Sequence, residues 1–152
     1  MTVPFVTQFT LDVTSIPAVG TFSAPIGPMP FAGVVTLVQY IPAQTQTADT
    51  AVAATLRSYC LYNRGSPLNT MSGSGTTSLA RGHLTSLIAS QTCFGSTSGG
   101  LTDNIASTLV LTTSTALLTC SQGDVLEWES STFSGGTGLR DVGGRVVITY
   151  SR

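Results

Sequence analysis

Lysine is absent from this chain of 152 residues, and charge of either sign is scarce. Charged residues make up 9% of the sequence, against about 25% in an average soluble domain. The six basic residues are all arginines, Arg57, Arg64, Arg81, Arg140, Arg145 and Arg152, and they are scattered and mostly near turn signals. With a net charge of −1 there is no gathered basic face to meet a phosphate backbone, so the sequence predicts no nucleic-acid partner. No apolar stretch approaches the roughly 18–20 residues of a membrane span, and no membrane partner is expected. Met1-Thr2-Val3-Pro4 has neither the basic start nor the apolar run of a secretion signal, so folding in the cytoplasm of the producing cell is expected.

Histidine and cysteine are nearly as sparse. His83 is the single histidine, which leaves a Ser–His–Asp triad or a zinc site short of partners. No GxSxG occurs; Gly95-Ser96-Thr97-Ser98-Gly99 has threonine at its centre. A loop or strand-edge role is expected for His83. Cys60, Cys93 and Cys120 are odd in number, widely spaced and free of any CxxC pair, which argues against a zinc ribbon or redox motif. They read as three reduced, small apolar core residues. Gly73-Ser74-Gly75 and Gly135-Gly136-Thr137-Gly138 complete neither phosphate-loop pattern, and without lysine they read as plain loops.

Threonine and serine fill the space that charge leaves. There are 25 Thr and 18 Ser, over a quarter of the chain. Threonine is stiff at its first side-chain torsion and favours strands. The apolar share of 41% is ordinary for a globular protein. A chain this long buries roughly 68–70% of its unfolded surface without disulfide or metal. One domain spanning residues 1–152 is expected.

Hydrophobic periodicity supports strands throughout. Phe5 to Val13 alternates, with Phe5, Thr7, Phe9, Leu11 and Val13 on one face and Gln8, Thr10 and Asp12 on the other. Residues 14–33 form a Pro/Gly-rich arm in which Ile16, Phe22, Ile26, Met29 and Phe31 are nevertheless apolar. Val34 to Ile41 reads as a central strand buried on both faces. Thr55 to Tyr62 reads as a strand with Leu56, Cys60 and Tyr62 opposed to Thr55, Arg57 and Tyr59; Asp49 to Ala54 before it could be helical. Further strands are expected at Leu79–Ile88, Ser107–Thr113, Thr115–Cys120, Val125–Ser130 and Arg145–Tyr150. About eight short antiparallel strands between turn signals are the pattern of an all-β sandwich or barrel. A jelly-roll type sandwich fits better than an immunoglobulin one, because Trp128 follows all three cysteines.

The chemistry-bearing residues gather into no catalytic constellation. Glu127 and Glu129 share one strand face about 6–7 Å apart. Glycosidases set such a pair across a cleft, so these two read as a wet strand face, with Leu126 and Trp128 turned to the core. Calcium binding by Asp124, Glu127, Glu129 or Asp141 lacks a DxDxDG ladder. No catalytic residue, metal or cofactor is predicted.

One ordered set of motifs carries a resemblance. Met29-Pro30-Phe31-Ala32-Gly33-Val34-Val35 runs into Tyr40-Ile41-Pro42; Leu61-Tyr62-Asn63-Arg64-Gly65 and Gly123-Asp124-Val125-Leu126-Glu127-Trp128 follow. The chain closes with Gly136-Thr137-Gly138-Leu139-Arg140-Asp141-Val142-Gly143-Gly144-Arg145-Val146-Val147-Ile148. This order resembles the small jelly-roll decoration (cement) proteins of tailed bacteriophage heads, over roughly residues 29–150. Val142 stands where that group often has proline. The resemblance implies a structural virion protein that binds the outside of the assembled capsid. It further implies the major capsid protein as partner, commonly with the decoration protein as a homotrimer, and no enzyme activity. Thr14 to Phe31 is the candidate contact segment, with Phe22, Ile26, Met29 and Phe31 as its apolar contacts. The same segment read differently is a loop folded over one end of its own sandwich. The alternative function is the receptor- or carbohydrate-binding jelly-roll head of a phage tail fibre or lectin.

Overall fold

Alternation in the sequence becomes alternation in burial, beginning with strand β1 (Val6–Val13). Thr7, Phe9 and Leu11 are half-buried and Val13 is buried, while Val6, Gln8, Thr10 and Asp12 face solvent. The computed structural model describes residues 5–15, 22–45, 57–63, 87–93, 101, 104–113, 115–132 and 142–152. Within them run β2 (Phe22–Ile26), β3 (Gly33–Pro42), β4 (Arg57–Asn63), β5 (Leu87–Cys93), β6 (Ser107–Thr108) and β7 (Val110–Leu111). A single helical turn α1 (Thr115–Leu118), then β8 (Thr119–Cys120), β9 (Leu126–Thr132) and β10 (Gly144–Ser151) complete the order.

The protein is all-β, and every strand pairing is antiparallel. One sheet runs β1-β10-β3-β6, with β8 also pairing to β3, and the other runs β2-β9-β4-β5-β7. The inner faces of both sheets meet in one core. Val35, Val38, Tyr40, Val146, Ile148 and Tyr150 come from the first sheet, and Tyr59, Leu61, Leu126 and Trp128 from the second. Across the gap Tyr40 stacks on Tyr59 with ring centroids 4.7 Å apart and on Trp128 at 5.6 Å. Tyr59 and Trp128 are 5.8 Å apart, which closes the triangle. Each such pair adds about 0.5–1.5 kcal/mol beyond the area it buries.

Several expected elements take a different form. In β3 only one face is buried: Val35, Val38 and Tyr40 point inward, whereas Val34 and Thr36 are exposed. The register against β10 slips between Thr149, opposite Leu37, and Tyr150, opposite Val35. Thr36 is therefore the extra residue of a β-bulge, which shifts the inward set from 35 to 38. In β4 the inward residues are Tyr59 and Leu61, both fully buried, so the expected inward set of Cys60 and Tyr62 is reversed. Residues Tyr59 to Tyr62 are all apolar or aromatic, and their sequence offers no alternation from which to choose a face. Ser107–Thr113 is not one strand. It crosses from the first sheet to the second at buried Leu109, whose N–H donates to the Val38 carbonyl at 2.9 Å. Thr115–Leu118, expected as strand, coils into one turn, closed by the Thr119 hydroxyl donating to the Thr115 carbonyl at 2.9 Å. The strand expected at Leu79–Ile88 overlaps β5 only at its end, and residues 79–86 lie outside the described residues, as does Asp49–Ala54.

Candidate functional site

The candidate contact segment is where the structure departs most from expectation. Its stretch from Phe22 to Ile26 is strand β2, paired along its length with β9. Ile26 and Met29 are core residues at 6% and 1% exposure. Phe22 and Phe31 are half-buried and packed against the same core. The Met29 N–H donates to the Asp124 carbonyl, and the Met29 carbonyl accepts from the Gly123 N–H, both at 2.8 Å. From residue 22 onward, then, the arm is built into the body; residues 16–21 lie outside the described residues. The side chains of Ile26 and Met29 have no surface to offer a partner.

Beside this segment an aromatic run leads from the core to the surface. Phe31 stacks on Tyr150 with centroids 5.0 Å apart, and Phe5 meets Phe31 edge-on at 5.3 Å. Phe9 meets Tyr150 edge-on at 6.1 Å. Phe5 is 60% exposed, Val6 55% and Val34 37%, so this end of the first sheet carries an apolar rim. Val6 and Val34 both stand opposite Ser151, on the outer face of the same cross-strand row. Between β1 and β2 lies an open cavity of about 260 Å³ lined by Phe9, Leu11, Pro25, Ile26 and Pro28.

Behind the rim sits a polar cluster that residue patterns alone did not reveal. Asn63, at the end of β4, donates to Asp124 Oδ2 at 3.1 Å, and the Ser121 N–H donates to the same oxygen at 2.9 Å. Asn63 also reaches Cys120 Sγ at 3.7 Å. The Tyr150 hydroxyl donates to the Phe31 carbonyl at 2.5 Å and lies 3.4 Å from that of Cys120. Burial, reinforced by the Asp124 charge, pushes the Cys120 thiol up to about 11. Tyr150 is pushed up to about 12 by burial, then by Cys120 and Asp124. A thiol so disposed stays protonated at neutral pH and is a poor nucleophile. The cluster fastens β4, β8 and the turn before β9 together. The sequence singles out Asn63, Cys120 and Gly123-Asp124 separately, and no local pattern joins them.

The remaining candidates separate. Glu127 and Glu129 lie half-buried on the outer face of β9, and the Ser23 hydroxyl donates to Glu127 Oε1. Leu126 and Trp128 point into the core, as their alternation required. Cys120 is buried, whereas Cys60, on the outward side of β4, is half-buried and not the core residue expected; neither forms a disulfide, and the side chain of Cys93 lies outside the described residues. His83, Asp141 and the two glycine-rich loops also lie outside them. Among the described residues no group of three His, Cys, Asp or Glu is placed to hold a metal ion, and no helix is long and apolar enough to cross a membrane.

The motifs quoted above meet in space. At one end, Met29 bonds to Gly123 and Asp124, and Asp124 to Asn63. At the other, Pro42 pairs with Gly144, and the Ala43 N–H donates to the Gly143 carbonyl at 2.9 Å. A Cβ on Gly144, at φ +154°, would lie 2.2 Å from the Ile41 carbonyl oxygen, so the contact of these two motifs requires glycine. Comparison with protein-family models, with curated proteins and with solved structures finds no match to this chain.

Proposed function

We propose that this chain is a jelly-roll decoration protein that attaches to the outside of a bacteriophage head and stabilises the shell. The observation that carries the reading is the order of strand pairing. β1 pairs with β10, β2 with β9, β3 with β8 and β4 with β5, so the chain pairs like one long hairpin wound around a core. Along each arm of that hairpin, β1 to β4 and β5 to β10, consecutive strands alternate between the two sheets, as expected of a jelly roll. The meeting of the resemblance motifs at the two ends supports the same reading, since those short glycine-based segments make the contacts that hold the winding.

A cement protein works by contact area and copy number rather than by chemistry. Many weak attachments on a symmetric shell add by avidity. With Ile26 and Met29 committed to the core, the contact passes to the apolar rim at the same end, which includes Phe5 and Val34. Bare heads, assembled from the major capsid protein of the genome that encodes this chain, provide the test. The unaltered protein should sediment with heads to saturation, and Phe5→Ser with Val34→Ser should weaken attachment about tenfold or more while the melting temperature stays within a few degrees. Absence of attachment by the unaltered protein overturns the reading and favours a tail-fibre or lectin head.

A further inference from the structure

Two long strands end their sheets side by side, β1 in the first and β2 in the second, and only one of them is guarded. The direction of the backbone groups in β1 follows from one hydrogen bond. The Arg152 N–H donates to the Phe5 carbonyl at 3.0 Å, in the register that sets Val6 opposite Ser151. In an antiparallel pair the bonding residues alternate. Thr7, Phe9, Leu11 and Val13 therefore bond to β10, and the N–H and C=O groups of Val6, Gln8, Thr10 and Asp12 point away from the sheet. Among the described residues nothing pairs with that edge.

The edge of β2 is different. Pro25 has no N–H to give to β9, so the pairing is kept by directing Pro25 and Ser23 outward. A proline there removes a donor from the free edge and blunts it against strand addition. β6, β7 and β8 are two residues long and offer little to pair with. β1 has eight residues, no proline and no lysine, and its single charge, Asp12, is already matched by Arg145 at 2.9 Å.

We infer that the free edge of β1 is a strand-pairing interface for a second copy of this chain, joined antiparallel about a twofold axis at Phe9. The register is determined by the outward groups. Bonding pairs must join outward residues, and setting Gln8 against Thr10 and Val6 against Asp12 of the second copy uses all four. On the outer face this places glutamine beside threonine, a pair the first sheet already uses in Gln8–Thr149 at 3.3 Å and Gln39–Thr108 at 3.4 Å. No like charges face one another, because each Asp12 meets a valine. On the inner face the two Phe9 rings come together and Thr7 meets Leu11, covering the half-buried Phe9 and Leu11 that line the open cavity. A strand that complements itself in bonding, charge and apolar surface is suited to its own copy, and a twofold axis closes the contact without propagating it. This interface is independent of the capsid reading, and it makes the symmetry twofold where the resemblance implies threefold.

Light scattering on the full chain at micromolar concentration tests it. The expected mass is twice the 15.7 kDa of one chain. Thr10→Pro removes an outward N–H without touching the ladder to β10, and should return the monomer mass with the circular dichroism spectrum unchanged. Thr10→Lys serves the same purpose if the proline variant does not fold. Ser23→Lys, on the edge already blunted by Pro25, should leave the doubled mass in place. A monomer or trimer for the unaltered chain, a doubled mass that survives the folded Thr10 variants, or its loss in Ser23→Lys would each overturn the inference.

Discussion

The two sheets share a core but treat their outer faces differently. The outer face of the first is almost uncharged: Gln8, Thr10, Thr36, Gln39 and Thr149 present amides and hydroxyls between Val6, Val34 and Val147. Its strands are tied across that face by Gln8–Thr149 and Gln39–Thr108 and by one ion pair, Asp12–Arg145. The outer face of the second carries Glu127 and Glu129 and, unlike the first, holds a nearly buried aromatic, Tyr62 at 7% exposure. Cross-strand pairing of small polar side chains thus replaces the salt bridges that a charge-poor chain cannot make. The result is a nearly uncharged surface, suited to contact without electrostatic steering.

The largest effect is expected in the core that the two sheets share. Trp128→Ala removes the ring that stacks on both Tyr40 and Tyr59 and should cost about 3–5 kcal/mol in urea unfolding. Val147→Ala, on the outer face of the first sheet, should stay within about 0.5 kcal/mol. Among the described residues nothing accepts a hydrogen bond from the buried Trp128 Nε1, so phenylalanine gives up no bond seen there, only some packing, and should cost far less than alanine.

Next in size is the tie between the aromatic run and the polar cluster. Tyr150→Phe loses the hydroxyl bond to the Phe31 carbonyl and should lower stability by about 1 kcal/mol, read by denaturant midpoint at pH 7.

The same cluster sets the alkaline limit. The Cys120 thiol ionises at 9.0 when unfolded and at about 11 when folded. The unfolded chain therefore loses its proton first, and this contribution, complete below pH 9, is lost as pH rises toward 11. Tyr150, raised from 10.0 to about 12, extends the decline. The melting temperature should fall across this window, and Cys120→Ala should flatten the portion between pH 9 and 11.

The smallest effect belongs to the exposed ion pair. Asp12 and Arg145 are 78% and 57% exposed at their side chains, so a double-mutant cycle should return at most about 1 kcal/mol, shrinking with salt.

How much of this was legible in the sequence depends on the kind of signal. Strict alternation placed β1 and the inward Trp128 correctly, because a period of two needs only local information. The bulge at Thr36 depends on the partner strand β10, so Val34–Ile41 read as a uniform apolar run. The crossing at Leu109 and the turn at Thr115–Leu118 are tertiary choices made by short Thr/Leu segments that can adopt either form. Strand β2 within the arm is illegible for a related reason: prolines signal irregular backbone, yet Pro25 sits on an edge strand whose outward side needs no donor. Apolar residues in such a segment belong to the core as readily as to a partner, and Ile26 and Met29 belong to the core. The Asn63–Cys120–Asp124 cluster joins residues 57–61 positions apart, beyond any local motif.

Whether this wound, charge-poor sandwich attaches to a phage shell through an uncharged surface is decided by sedimenting the protein with bare heads at low and at high salt. Attachment should be saturable and the same at both salt concentrations, because no ion pairs are screened. No attachment at low salt, or attachment that disappears at high salt, would contradict it.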